Sequence, residues 1–461
     1  MIDKRTARSV LDAALETGGD FSELYIEDSR SHSILMTDLC VEDATYAAAH
    51  GAGVRVFSGL KSAYAYTNAT DRETLISTAR AAAAALKGDG RAEPASFLLK
   101  EYGGAPEVPF SDVENESRIR LLRDASKAAK SYSGYIKQIS ARYMDVDKHI
   151  LVCNSLGVWA QDQRPRTRLS IQVTAADNDQ MQTGVESPGF GMGFEAYRRI
   201  DGEAAALAAA KSAVTMLTAP QCPPALLPVV IDGGFGGVIF HEACGHSLEA
   251  TAVAKGNSEF ADKLGQRIAS ERVTAVDDGT LPGEWGTIGV DDEGTPSRRN
   301  VLIERGVLRG YLIDLMGARR MGMEPTGNAR RQSYAYAPTS RMTNTFIEAG
   351  TDDEEEMIRS LAEGLFAKKM GGGSVNPLTG EFNFAVTEGY WVKNGQIVTP
   401  VRGATLVGRG AEVLLRIDRV GKDRTMGQGM CGSLSGSVPA NVGQPRIRVD
   451  GITIGGKGEK R

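Results

Sequence analysis

The segment His241-Glu242-Ala243-Cys244-Gly245-His246 is the most informative stretch of this chain. It contains two of the five histidines in 461 residues, and a glutamate directly follows the first of them. Two neutral imidazoles are suited to bind a divalent metal ion, and a neighbouring carboxylate is suited to accept a proton from water that the ion activates. The segment therefore predicts a metal-dependent hydrolase, with His241 and His246 as metal ligands and Glu242 as the general base.

The spacing of the two histidines sets a condition on the local fold. In the common zinc motif the histidines are four residues apart on one face of a helix, whereas here they are five apart. On a regular α-helix this separation corresponds to about 140° of rotation and about 7.5 Å of rise, so the imidazoles would diverge. A π-helical turn would bring both onto one face, and Gly245 eases that distortion. We predict a helix from about Val238 with a bulge or break between the two histidines.

A third protein ligand is expected, because catalytic zinc sites normally have three and keep one position for water. Glu249 lies three residues after His246 and can share its helical face. Cys431 lies in the glycine-rich run Thr425-Met426-Gly427-Gln428-Gly429-Met430-Cys431-Gly432-Ser433, which would let a thiolate approach an ion closely. Spacing alone does not choose between these two candidates. A cysteine hydrolase that uses Cys431 is a further possible function, and it ranks low because no activating base lies near this residue in the sequence.

The rest of the chain divides into three predicted domains. Residues 1–110 contain a helix, strands and an alanine-rich helix, and residues 111–221 show the same order again. The proline-rich segment 219–224 marks the clearest boundary. Residues 222–461 are rich in glycine and short strand-like runs, with one long helix predicted at about 353–369 and opened by acidic residues that suit the helix dipole. The predicted class is α+β, with two related helix-and-sheet units followed by a β-rich, barrel-like domain that carries the HExxxH helix.

Composition and charge exclude several classes of protein. A hydrophobic content of 41% and a charged content of 24% are typical of globular domains, and the formal net charge of −5 argues against nucleic acid as a partner. The segment Met1–Thr6 enters a helical pattern directly and no apolar run is long enough for a membrane span, so neither a signal peptide nor a membrane segment is expected. Five widely separated cysteines without a CxxC pair predict free thiols in a reducing cytoplasm.

Further motifs follow one another along residues 227–455. They are Asp232-Gly233-Gly234-Phe235-Gly236-Gly237-Val238, Asp277-Asp278-Gly279, Asp291-Asp292-Glu293-Gly294, Asn300-Val301-Leu302-Ile303-Glu304, Met321-Gly322-Met323-Glu324-Pro325-Thr326-Gly327-Asn328, Arg341-Met342-Thr343-Asn344-Thr345, Gly371-Gly372-Gly373 and Val442-Gly443-Gln444-Pro445. Together with the histidine motif, this series resembles the TldD/PmbA family of metalloproteases. The resemblance implies that His241, His246 and Cys431 bind Zn²⁺ and that Glu242 is the general base. Because all four residues are present, the chain is most similar to TldD, the catalytic subunit, and less so to PmbA (TldE), which lacks the metal motif.

The resemblance also implies a function and a partner. The family is known for maturing modified peptides and for degrading unfolded or extended peptides, and its active subunit commonly works with an inactive paralogue. We therefore predict a cytoplasmic zinc peptidase that acts on peptides and forms a dimer with a PmbA/TldE-like subunit, or a homodimer. The alternative is a non-catalytic regulatory or scaffold subunit of a peptidase complex. A scaffold would have no need for Glu242 beside the metal ligands.

Contacts with the substrate are predicted in the segment 328–334. Asn328, Arg331 and Tyr334 offer donors suited to an oxyanion or a peptide carboxylate, and a solvated polar loop is the alternative. An extended peptide would add to an exposed sheet edge through main-chain hydrogen bonds. The other histidines have no ligand pattern and are expected to be surface or packed residues: His32, His50 and His149.

Overall fold

The computed structural model describes residues 2–86, 88, 92–376 and 378–458 of the chain. In its N-terminal half the helices are α1 (Lys4–Ala14), α2 (Arg72–Ala84), α3 (Asn115–Ser131) and α4 (Gly202–Leu217). The strands of this half are β1 (Phe21–Thr37), β2 (Cys40–Ser58), β3 (Lys61–Thr67), β4 (Leu98–Tyr102), β5 (Ile136–Asn154), β6 (Val158–Asp177), β7 (Gln180–Glu186) and β8 (Gly189–Phe190). The side chains of Asp71 and Asp201 cap α2 and α4 by accepting from a backbone N–H in the first turn.

One sheet joins the two N-terminal units. Its strand order is β3-β2-β1-β5-β6-β4, and β7 and β8 also pair with β6. The central pair, β1 with β5, is antiparallel from Glu23 opposite Asn154 to Thr37 opposite Ser140. Helices α1 and α2 cover one end of this sheet and α3 and α4 the other, each pair over its own hydrophobic core. The predicted boundary between residues 1–110 and 111–221 thus divides two helix layers that share a sheet, and it stays a prediction.

The C-terminal half is mainly β. Its strands are β9 (Ala225–Ile231), β10 (Ala275–Asp278), β11 (Arg299–Glu304), β12 (Val307–Leu308), β13 (Ala329–Arg330), β14 (Thr339–Ser340), β15 (Asn344–Ile347), β16 (Glu363–Val375), β17 (Glu381–Lys393), β18 (Gln396–Val401), β19 (Ala404–Arg409), β20 (Ile417–Val420), β21 (Thr425–Ser433), β22 (Gly436–Gln444) and β23 (Ile447–Gly455). Its helices are α5 (Val238–Phe240), α6 (Ala250–Val253), α7 (Leu315–Met321), α8 (Glu354–Arg359) and α9 (Gly410–Leu415).

These strands form a barrel and a second sheet. The barrel has the order β16-β9-β23-β19-β17 and closes through the pairing of β16 with β17. The second sheet has the order β12-β11-β10-β15-β22-β21, so β21 lies at its end. The predicted α+β class with a barrel-like C-terminal domain is confirmed.

The prediction of one long helix at about 353–369 is wrong. The acidic first turn marks the start of α8 correctly, but this helix ends at Arg359 and β16 follows it. The run Leu365–Ala367 is buried and pairs in parallel with Val229–Ile231 of β9. A short apolar run of this kind fits a buried helix and a buried strand equally well by its periodicity, and here the barrel pairing decides.

Buried ion pairs connect the N-terminal sheet to the C-terminal half. Arg55 on β2 donates to Glu23 at 2.7 Å and to Glu293 at 2.6 Å. Arg164 on β6 donates to Asp292 at 2.7 Å. All five side chains are buried, and a buried charge that loses its partner is strongly destabilising. Each half of the molecule therefore contributes buried charges that are paired with charges of the other half.

Two further observations concern cysteines and membrane spans. All five cysteines are unpaired, and Cys40 is the exposed one among them. Within the part of the chain that the structure describes, no helix combines the length and the apolar character that crossing a membrane requires.

Candidate metal centre

The two histidines of the motif lie on a π-helical turn. The helix starts as α5, widens over His241–Gly245, and the N–H of His246 donates to the carbonyl of His241, five residues earlier. The two imidazoles therefore lie next to each other in an edge-to-face arrangement, with ring centroids 5.3 Å apart and ring planes at 87°. The predicted bulge between His241 and His246 is confirmed.

A glycine-rich loop positions this turn at the end of β9. Gly234 has φ of 63° and ψ of −120°, a conformation that favours glycine. Gly237 packs so closely on β22 that a Cβ there would lie 2.6 Å from the backbone nitrogen of Gly443. The loop therefore places the start of α5 directly against β22 of the second sheet.

Gly245 has a packing role that the sequence analysis did not foresee. Its φ of −57° is ordinary for a helix, so its backbone angles do not require glycine. A Cβ at this position would lie 2.3 Å from Sδ of Met342. The absent side chain therefore lets Met342 pack against the histidine turn.

Cys431 completes a group of three donors. It lies on β21, and its Sγ is 3.2 Å from Nε2 of His241 and 3.2 Å from Nε2 of His246. The three atoms lie within 4.8 Å of one another, and the described residues contain no other group of His, Cys, Asp and Glu side chains that could hold a metal ion. Two imidazole nitrogens and one thiolate form a donor set typical of zinc sites, so these residues fit such an ion.

The charges at the site favour the form of Cys431 that binds metal. Burial raises the pKa of its thiol, but the charges of His241 and His246 and their hydrogen bonds outweigh burial and lower that pKa to about 3. Burial lowers the pKa of His246, whereas Glu249 and Cys431 together raise it well above its usual value. These neighbours therefore favour the thiolate of Cys431, which is the form of cysteine that binds metal.

The two glutamates of the motif region lie on different sides of His246. Glu249 Oε2 is 3.2 Å from Nδ1 of this histidine, whereas Cys431 lies at Nε2. Glu249, the alternative third ligand in the sequence analysis, thus sits behind the ring. Glu242 is on the Nε2 side, with Oε2 at 3.7 Å from that nitrogen and a side chain that is 32% exposed. It therefore reaches the solvent-accessible side of the site, where a proton acceptor is required.

The residues predicted to contact substrate already have partners within the molecule. Asn328 and Arg331 are buried, and they donate to the carboxylates of Asp277 and Glu23, at 2.8 and 2.7 Å. Tyr334 is half-buried, and its carbonyl accepts from a tyrosine hydroxyl of β3 at 2.6 Å. None of these three contacts involves His241, His246 or Cys431. Their role in substrate binding stays a prediction.

The remaining histidines lie on the N-terminal sheet, and each contacts an aspartate. None of them belongs to a potential metal-binding group within the described chain. The hydrogen bond that His149 donates to the Asp147 carboxylate raises the pKa of His149. The three contacts are His32–Asp145 at 2.9 Å, His50–Asp28 at 3.4 Å and His149–Asp147 at 3.3 Å.

Comparisons with known proteins place this chain among the metallopeptidases. Sequence profiles described as domain 1, the central domain and the C-terminal domain of PmbA/TldA metallopeptidases match residues 22–86, 108–217 and 224–456. The chain belongs to the PmbA/TldD family of metallopeptidases.

Several relatives match the chain over nearly its full length. A metalloprotease TldD homologue of Haemophilus influenzae is 35% identical, covering 99% of this chain and 97% of its own. One from Buchnera aphidicola is 32% identical, covering 95% and 93%. A metalloprotease of Methanocaldococcus jannaschii is 32% identical, covering 93% and 96%. The similarity to proteins named TldD agrees with the predicted subunit type.

Solved structures share the fold. The TldE protein of Thermococcus kodakarensis has a TM-score of 0.78 at 18% identity, with 97% of this chain and 99% of that chain covered. A Thermotoga maritima protein, whose description relates it to modulation of DNA gyrase, has a TM-score of 0.81 at 20% identity, with 98% and 100% covered. At this identity the likeness extends to the fold alone.

Proposed function

We propose that this protein is a zinc-dependent peptidase that hydrolyses unfolded or extended peptides, in peptide maturation or degradation. The observation that carries the proposal is the convergence of His241, His246 and Cys431 with Glu242 beside them. Zinc is proposed because imidazole and thiolate ligands suit it, whereas Mg²⁺ and Ca²⁺ prefer oxygen ligands. The names of the relatives support a metalloprotease.

The proposed chemistry assigns one task to each side chain. When bound, a zinc ion would supply Lewis-acid activation of water and of the peptide carbonyl. Glu242 would accept a proton at Oε2 from the attacking water and donate it to the leaving amine. His241 and His246 would hold the ion through their Nε2 atoms, and Cys431 would hold it through its negatively charged thiolate. The partial exposure of Glu242 supports this role, because its proton must exchange with substrate and solvent.

For the substrate we propose binding as an added strand. An extended peptide would bind at a sheet edge near the metal centre through main-chain hydrogen bonds. Such binding would give affinity with little dependence on side chains, as suits a peptidase of unfolded chains.

We also propose an assembly and a compartment. The similarity in fold to a TldE protein supports a dimer with a PmbA/TldE-like subunit, and a homodimer is the alternative. The five unpaired cysteines support the cytoplasm, where thiols stay reduced. The net charge of −5 gives no support for a nucleic-acid partner.

The proposal is tested by comparing the native protein with Glu242→Gln on an unstructured peptide. We expect the variant to keep one zinc per chain, measured by elemental analysis, and to lose about 10²–10⁴-fold in kcat. Glu304→Gln on β11 is the matched control, since this glutamate is 55% exposed and pairs with Arg309. It should change neither zinc content nor kcat.

Removal of the metal separates the alternatives. A chelator should abolish activity, and added zinc should restore it. Activity that survives complete zinc removal but disappears in Cys431→Ser would favour the cysteine hydrolase. A purified native complex with neither zinc nor peptidase activity would favour the scaffold.

A further inference from the structure

Glu249 turns back beneath the second histidine of the motif. The chain leaves the helix at this residue, which has extended backbone angles of φ −76° and ψ 133°. Its side chain is 5% exposed, and Oε2 lies 3.2 Å from Nδ1 of His246. A carboxylate at this distance accepts a hydrogen bond from Nδ1–H. This contact favours the tautomer with its proton on Nδ1, in which Nε2 keeps a lone pair for a metal ion.

Arg341 lies between Glu249 and the strand that carries Cys431. Its side chain is fully buried, and its Nε lies 3.9 Å from Glu249 Oε1. Its Nη2 donates to the carbonyl of Cys431, and its Nη1 donates to Ser435 Oγ at 3.1 Å and to the carbonyl of Gly436 at 2.8 Å. One guanidinium thus faces Glu249 with one edge and the β21–β22 hairpin with the other.

The two histidines differ in how their rings are held. Nδ1 of His241 is buried and has no hydrogen-bond partner among the described residues. His246 alone has a carboxylate behind it, and that carboxylate faces the arginine that fixes the backbone of Cys431. His246 and Cys431 are 185 residues apart in sequence, so their relative placement depends on contacts of this kind.

We infer that Glu249 and Arg341 form a positioning pair that orients His246 and Cys431 toward each other and so sets the affinity of the site for zinc. The inference rests on the proposed metal centre. Charge balance also favours a linked pair, since the buried Arg341 guanidinium has the Glu249 carboxylate as its ionic partner. Neither residue touches the reacting atoms, and both act through a ligand.

The test measures zinc affinity by competition with a chromogenic chelator, without reference to activity. Glu249→Gln should weaken zinc binding about 10–100-fold, the loss typical when the partner of a ligating histidine is altered. Arg341→Lys keeps the charge but loses the forked contact with the hairpin, and should also weaken binding. In the double variant the combined loss should be smaller than the product of the single losses, because the residues act as one unit.

A cobalt-substituted protein gives a second readout. The ligand-field and thiolate-to-cobalt absorption bands report the geometry at the metal, and both should shift in Glu249→Gln. Glu388→Gln is the matched control, because the Glu388 side chain is likewise buried, at 2% exposed, and pairs with Lys368 at 2.6 Å on the barrel. This control should lower thermal stability while zinc affinity and the cobalt spectrum stay as in the native protein.

Failure of the positioning pair can be distinguished from failure of the proposed function. A native protein that binds no zinc would refute the metal centre itself. Native-like zinc affinity and cobalt bands in Glu249→Gln, or strictly multiplicative losses in the double variant, would overturn the positioning pair alone. If Glu249→Gln does not fold, Glu249→Asp keeps the charge but shortens the reach to Nδ1, and an unchanged zinc affinity in that variant would also overturn the inference.

Discussion

Replacing Gly245 with alanine tests whether the histidine turn depends on its contact with Met342. An added Cβ would lie 2.3 Å from Sδ and 3.1 Å from Cε of Met342, so this side chain must move. Met342 is fully buried, and its carbonyl accepts from Arg330 at 2.6 Å, so its backbone is held. Overpacking of this kind costs about 1–3 kcal/mol. Alanine in a helical backbone recovers about 1 kcal/mol relative to glycine.

We therefore expect Gly245→Ala to lower the free energy of unfolding by about 1 kcal/mol, which is a mid-range overpacking cost of about 2 kcal/mol less the helical gain. Chemical denaturation with matched slopes measures this change, and zinc content shows whether the turn still binds metal. Met342→Ala removes the obstructing sulfur, so in that background Gly245→Ala should be neutral or stabilising. Gly372→Ala is the control, since a Cβ there meets nothing within 4 Å.

Two results would refute this reasoning about the turn. The first is a Gly245→Ala variant as stable as the native protein. The second is an equal loss of stability with and without the Met342 side chain, because the contact would then not be the cause.

Two further predictions concern the histidine pairs and the buried acids. His149, whose pKa Asp147 raises, should titrate above pH 6.5 by NMR, and Asp147→Asn should lower that pKa. The stabilisation that the His149–Asp147 pair provides should be complete below pH 6.5 and should be lost as the pH rises through the raised pKa of His149. In Asp147→Asn, stability should depend less on pH over this range. Asp277 is fully buried and accepts four hydrogen bonds, so Asp277→Ala should cost at least about 3 kcal/mol in chemical unfolding, because four buried donors lose their acceptor. A loss below about 1 kcal/mol would contradict this count of donors.

Local spacing predicts the most unusual part of the site. Two histidines five residues apart converge only on a widened turn, so His241 and His246 together indicate π geometry before any coordinates are known. The order of helices and strands in the N-terminal half likewise follows from periodicity and capping residues. The periodicity does not predict that β1 and β5 join the two units into one sheet, since this pairing is between distant segments.

Contacts between distant segments also explain what spacing leaves open at the site. Cys431 reaches the histidines through the pairing of β21 with β22 and of β22 with β15, and no local pattern encodes these registers. The family resemblance, rather than spacing, selected it over Glu249. Arg341 carried no signal of its role beyond its place in a motif, because its partners, Glu249 and residues 431–436, lie on two segments that are distant from it in sequence.

The charged contact between the two halves of the molecule limits how their parts can be exchanged among relatives. Arg55 comes from the N-terminal sheet, whereas one of its two acceptors, Glu293, comes from the other half. A chimaera that takes one half from a relative with a different acceptor would leave a buried cation unmatched. Grafts between family members should therefore transfer donor and acceptor together, and homologues are expected to change the two positions in concert.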